Sequence, residues 1–197
     1  MKQYRTDHTN QVHQLIVNVS KNLYVTKSGI LKYQKKKMEV NLNSLKNSNR
    51  THLIHYLIRD HTSGLFYAEI STSEEVKNIG YFLHRAWSCK DEFSFQGIPE
   101  FLSIPKTIQS YYPHILKDLE PYEIDIIEPT SGFHGGIGDT KNIEDLLKFL
   151  HLEEHISGIY NVPQRACEVN DKRKLRGTNF TKLEQWQKHV GKIRLPN

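Results

Sequence analysis

Six carboxylates in the middle of this chain could assemble into a site for divalent metal: Asp60, Glu69, Asp125, Glu128, Asp139 and Glu144. Hard cations such as Mg²⁺ take anionic oxygen ligands. Two such ions about 3.5–4 Å apart activate water and stabilise a leaving oxygen. The chain also has 11 histidines. His52 and His55 form one close pair. His151, Glu154 and His155 spell an H-x-x-E-H metal motif in letter order. In a histidine-rich chain a five-residue pattern of this kind arises by chance. The glycine-rich stretch Ser131-Gly132-Phe133-His134-Gly135-Gly136 precedes an expected helix, and its backbone amides could cradle a phosphate. A connecting loop of the fold needs the same residues.

Charge divides the chain in three. Residues 1–50 hold 10 Lys/Arg against 2 Asp/Glu, residues 51–159 hold 8 against 17, and residues 160–197 hold 9 against 3. Basic flanks around an acidic centre are an electrostatic footprint for nucleic acid. Lys35, Lys36 and Lys37, and the run Lys172, Arg173, Lys174 and Arg176, are the candidate phosphate contacts. Such contacts are sequence-independent and weaken with salt.

These residues must be held by ordered elements. Val12, Leu15, Ile16 and Val19 follow helical spacing and predict an amphipathic helix over 8–21. A short hairpin is expected over 23–33, turning at Lys27-Ser28-Gly29. A β-β-β-α-β-α-β-α core follows. Its strands are expected at 38–42, 52–59, 65–70, 101–104 and 123–128. Helices are expected at 73–88, in part at 106–119, and at 139–150. A tail from Gly158 holds the basic run at 172–176, and a last helix is expected over 181–189.

The 197 residues, 37% hydrophobic with a mean hydropathy of -0.61, suit one α/β domain with extensions. No apolar run reaches the roughly 20 residues of a membrane span, and no signal peptide is expected. Cys89 and Cys167 form no C-x-x-C motif. A cytoplasmic location with free thiols follows as the expectation.

The segment M-E-V-N-L-N-S-L at 38–45 and D-H-T-S-G-L-F-Y-A-E-I at 60–70 resemble the opening of a DDE integrase or transposase catalytic core. G-I-P-E-F-L-S-I-P at 97–105 is similar to that family's segment ending in its second aspartate. P-T-S-G-F-H-G-G-I-G-D at 129–139 is similar to its loop ending in the glutamate. The resemblance spans about residues 38–150. It implies an RNase H-like mixed sheet, three antiparallel strands followed by parallel ones, flanked by helices. Residues 1–37 and 151–197 would be basic extensions.

Carried over by that resemblance, the catalytic positions fall on Asn41, Pro105 and Gly138. A neutral amide, a proline and a glycine do not supply the anionic ligands Mg²⁺ needs. The implied function is a catalytically inactive integrase-derived domain, with no cofactor, acting as a DNA-associated accessory or regulatory protein. DNA, a second copy of the chain and a transposase protein are the implied partners. Two alternatives stand beside it. One is an active Mg²⁺-dependent nuclease or transposase using displaced carboxylates, Asp60 and Asp139 foremost. The other is a protein-interaction module without nucleic acid.

Overall fold

The computed structural model describes residues 6–129, 135–189 and 193–196. Its centre is a 14-residue strand, β1 (Val12–Val25). The helix expected over 8–21 does not form. Leu15, Val17 and Val19 alternate onto one face and join the main core, while Gln14, Ile16, Asn18 and Ser20 take the other. Helical spacing fits Val12, Leu15, Ile16 and Val19, while strand alternation fits Leu15, Val17 and Val19. The β-branched residues of this stretch favour the pleated form, and pairing on both sides decides for it.

Strand β2 (Leu31–Tyr33) returns on the end of β1 as the expected hairpin, with Gly29 at φ +78° in its turn. The strand expected at 38–42 is absent. Asn41 caps a 3₁₀ helix over Leu42–Asn47, accepting from the Ser44 amide while the Ser44 hydroxyl accepts from the Asn41 amide. This reciprocal local bonding competes with a strand ladder.

Strands β3 (Thr51–Asp60) and β4 (Phe66–Thr72) form the expected antiparallel hairpin. Helix α1 (Ile79–Trp87) starts at Asn78, whose side chain accepts from the Tyr81 amide. Strand β5 (Phe101–Ser103) lies parallel to β1. Two short helices follow, α2 (Lys106–Tyr111) and α3 (Ile115–Leu119), broken near Pro113 as expected. Then come β6 (Asp125–Ile127), parallel to β5, and α4 (Gly135–Leu150). The strand order is β4-β3-β1-β5-β6 with β2 attached to β1. This mixed α/β sheet, three antiparallel strands and then parallel ones, is the RNase H-like arrangement.

The basic tail holds one helix more than expected. Helix α5 (Val162–Asp171) packs on β4, and α6 (Lys182–Gln187) follows it with a capping box between Thr181 and Glu184. One apolar layer joins the sheet to α1 through Phe82, Leu83, Ala86 and Trp87. The other joins it to α4 and α5 through Ile143, Leu147, Val162, Ala166 and Cys167. Each large buried side chain contributes about 1.5–3 kcal/mol.

The domain limits at 37/38 and 150/151 do not match this sheet. Residues 1–37 contain its central strand, because β1 is the element that pairs with both β3 and β5. Residues 151–197 supply α5, α6 and the buried Trp186. Among the described residues, no helix is long and apolar enough to cross a membrane.

Candidate functional site

Helix α4 crosses the sheet face formed by β1 and β3, and its side chains meet the strands in register. Gln14 and Arg59, Ile16 and Leu57, and Asn18 and His55 are cross-strand pairs on this face. Above them, Asp139 pairs with Arg59 at 3.1 Å, and Thr140 accepts from Asn18 at 3.4 Å. One turn on, Glu144 meets His55 at 3.2 Å. Continuing the β1–β5 register two residues beyond Gln14↔Ser103 brings Ile16 level with Pro105. At this end of the sheet the middle of β1 meets the start of α4 through Asn18 and Thr140, while β5 runs beside β1 and leads into Pro105.

This end of the sheet does not fit a pair of divalent ions. β1 holds no Asp or Glu anywhere in its 14 residues. Ile16 packs into the apolar layer under α4. Pro105 occupies the N-cap position of α2. Gly138 is exposed, with nothing within 4 Å of where a Cβ would stand. Asn41, aligned by resemblance with the first aspartate, belongs to no strand. The β1 positions facing α4 include two neutral amides, Gln14 and Asn18, and no carboxylate.

The remaining carboxylates have other partners. Asp60 is buried at the end of β3 and accepts from the Asn10 amide at 2.8 Å and from the Ser63 amide and hydroxyl at 2.6 Å each. Burial pushes its pKa up, against the pull of these bonds. It ties the β3–β4 turn to the residues before β1, so its place is structural. Asp139 is buried beside Arg59. Burial raises its pKa, while Arg59, Lys182 and Arg173 pull it down. A carboxylate already paired with a guanidinium is a poor metal ligand.

For Glu144, burial acts upward, but hydrogen bonding to His55 and Ser20 holds it below the ordinary value. Glu69 is bound by Tyr67, Lys77 and Arg85. Asp125 lies on β6, and Glu128 pairs with Lys106 at the surface. Among the described residues, no group of three or more His, Cys, Asp or Glu could hold a metal ion.

The histidine motif is not one helical face. His151 follows α4 and pairs with Glu154 at 2.7 Å, whereas His155 caps a separate 3₁₀ turn. Residues 130–134 of the glycine-rich loop lie outside the described residues.

The two basic runs are placed differently. Lys35, Lys36 and Lys37 are exposed just after β2, where the Asn22 side chain donates to the carbonyls of Gln34 and Lys35. Lys172, Arg173, Lys174 and Arg176 are exposed on a folded hairpin between α5 and α6. The Lys182 amide donates to the Arg173 carbonyl at 2.9 Å, the Leu175 amide to Phe180 at 2.9 Å, and Lys174 pairs with Thr181.

Arg59 and Lys182 join this basic region, and sequence reasoning passed over both. Arg59 sits in an apolar strand, and Lys182 opens a helix expected only for its packing. The signal available was an arginine closing an otherwise uncharged strand run, His52 to Ile58.

No family model matches the sequence, and no curated protein matches it. Solved structures do match the fold. Two structures of the HTLV-2 integrase catalytic core domain in complex with magnesium, one trimeric and one dimeric, align with TM-scores of 0.54 and 0.53. They cover 92% of this chain and 99% of each of theirs, at 14% and 16% identity. At that identity the likeness is one of fold, and the chain has the integrase core fold.

Proposed function

We propose that this integrase-fold domain carries no metal-dependent strand-cleaving activity and serves as a DNA-associated accessory or regulatory protein. One observation carries the reading. Where β1 meets the start of α4 it presents Ile16 and Asn18, and it has no carboxylate at any position. The HTLV-2 cores of the same fold were solved with magnesium. Two-ion chemistry requires anionic ligands that β1 does not provide. Contacts with DNA then fall to the basic segments at 35–37 and 172–176.

The test pairs two measurements on the full chain. The first is fluorescence anisotropy of a labelled duplex across a salt series. Tight binding that falls steeply with salt is the expected result. The second is plasmid nicking in Mg²⁺ or Mn²⁺, where no nicking is expected. Metal-dependent nicking abolished by Asp139→Asn would overturn the reading in favour of displaced catalysis. Absence of duplex binding at low salt would move the function to protein interaction. The homodimer implied by the resemblance extends the proposal, and sedimentation velocity at micromolar concentration checks it.

A further inference from the structure

We propose that Arg59, Arg173 and Lys182 form a phosphate site where β3, α5 and α6 meet, and that its occupant is a backbone phosphodiester of nucleic acid. This rests on the DNA-associated reading above and names where the contact is made.

The geometry begins at Gly64, in the turn after β3. Its φ is +71°. A Cβ there would lie 2.8 Å from Arg59 Nη2, 3.3 Å from Lys182 Cε and 3.4 Å from Lys182 Nζ. Two cations therefore share the space over one glycine, and any larger side chain would fill that space.

Both cations are held in place. Arg59 Nε faces Asp139 Oδ2 at 3.1 Å, and Nη1 donates to Gln14 Oε1 at 3.2 Å, leaving Nη2 turned toward Gly64. The Lys182 ammonium donates to Asn170 Oδ1. Asn170 is buried, and its amide donates to the Gly64 carbonyl at 3.0 Å. One asparagine thus fixes both the turn and the lysine. Arg173 is the exposed member, on the hairpin rung paired with Lys182. Its charge is felt at both Asp139 and Lys182.

The charge balance favours an anion. Asp139 and Asp171 are the carboxylates acting on Lys182, against its two neighbouring arginines. Lys172 and Lys174 flank Arg173 and add positive charge at the rim. Neighbouring cations repel, more strongly where water is partly excluded, and a bridging anion relieves that repulsion. An arginine fork beside a lysine point charge is a donor set matched to phosphate oxygens. Asp139 occupies only one edge of the guanidinium. It acts as the internal counter-charge with which an entering phosphate competes.

The experiment is anisotropy of a labelled duplex with the full chain, comparing wild type, R173A/K182A, K182R, D139N and K35A/K36A/K37A. Circular dichroism checks that each folds. R173A/K182A should bind about tenfold more weakly and lower the salt slope by about 2. K182R should retain binding, and D139N should tighten it. Wild-type affinity in R173A/K182A, with binding lost in the triple lysine variant, would overturn this site while leaving the DNA-associated reading intact.

Failure of the wild type to bind duplex would instead remove that reading. The site is then decided by inorganic phosphate in a thermal-shift assay. Stabilisation of wild type that disappears in R173A/K182A supports it, and equal response of the two overturns it.

Discussion

Asn18 on β1 donates from its side-chain amide to the Thr140 hydroxyl of α4 at 3.4 Å, joining the middle of the central strand to the helix above it. Thr140 in turn donates to the Ile137 carbonyl at 3.0 Å. It is a neutral contact between the sheet and the helix that covers it. Asn18→Ala should lower stability by about 0.5–1.5 kcal/mol, the ordinary worth of one such bond. Duplex affinity should not change. Urea unfolding and anisotropy on the same samples check both statements.

The Asp60 carboxylate serves three donors from two segments. Asp60→Ala leaves the Asn10 and Ser63 amides buried without their acceptor, and each such group costs about 1–3 kcal/mol. The variant should lose several kcal/mol, a large fraction of the stability of a domain. Asp60→Asn, which retains a carbonyl acceptor, should lose less. Denaturation midpoints of the two variants, measured together, give the ordering. A mild effect in Asp60→Ala would contradict the structural role.

Burial lowers the His13 pKa to about 3, from an ordinary value of 6.5. The ring is fully enclosed, and its Nδ1 accepts from Trp87 Nε1 at 3.2 Å. The folded chain keeps this ring neutral while the unfolded chain protonates it. Its contribution to stability is therefore complete above pH 6.5 and is lost as pH falls toward 3. The slope is up to about 1.4 kcal/mol per pH unit from this group. His13→Gln keeps an acceptor for Trp87 but cannot take up a proton. Between pH 7 and pH 4 it should lose less stability than the wild type. Urea midpoints at the two pH values test the difference.

Divalent metal should leave the melting temperature almost unmoved. Ligands that bind only the folded state raise it by mass action. With no carboxylate on β1 and no metal-holding group among the described residues, about 10 mM Mg²⁺ or Mn²⁺ should shift it by less than about 1 °C. A rise of several degrees, abolished by Asp139→Asn, would mean that a bound ion had been missed.

The β3–β4 hairpin was legible from its residues because two independent signals agree there. Apolar residues run through His52 to Ile58, and Asp60 to Gly64 supplies turn chemistry with a glycine at positive φ. β5 was legible between Pro99 and Pro105 for a similar reason. β1 was not, since its apolar residues satisfy both periods until β3 and β5 are known to flank it. Asn41, to which the resemblance assigns the first aspartate, lies outside the sheet, and β1 itself carries no aspartate.

Helix α5 was missed because its polar residues dilute a short apolar stripe of Val162, Ala166 and Cys167. Arg59 and Lys182 lie far apart in sequence, so no local pattern announces that they share the space over Gly64.

Trp186 is almost fully enclosed, its indole stacked on Phe95 at 5.4 Å and lying against His13 of β1. During synthesis β1 leaves the ribosome early and Trp186 late. The nascent chain must hold an apolar central strand without its final cover until α6 has emerged. Pairing elements so distant in sequence slows folding, and partly covered strands aggregate in the interval. Yield in cells should therefore depend on chaperone supply, and shortening the chain before Trp186 should send it to the insoluble fraction rather than release a smaller folded core.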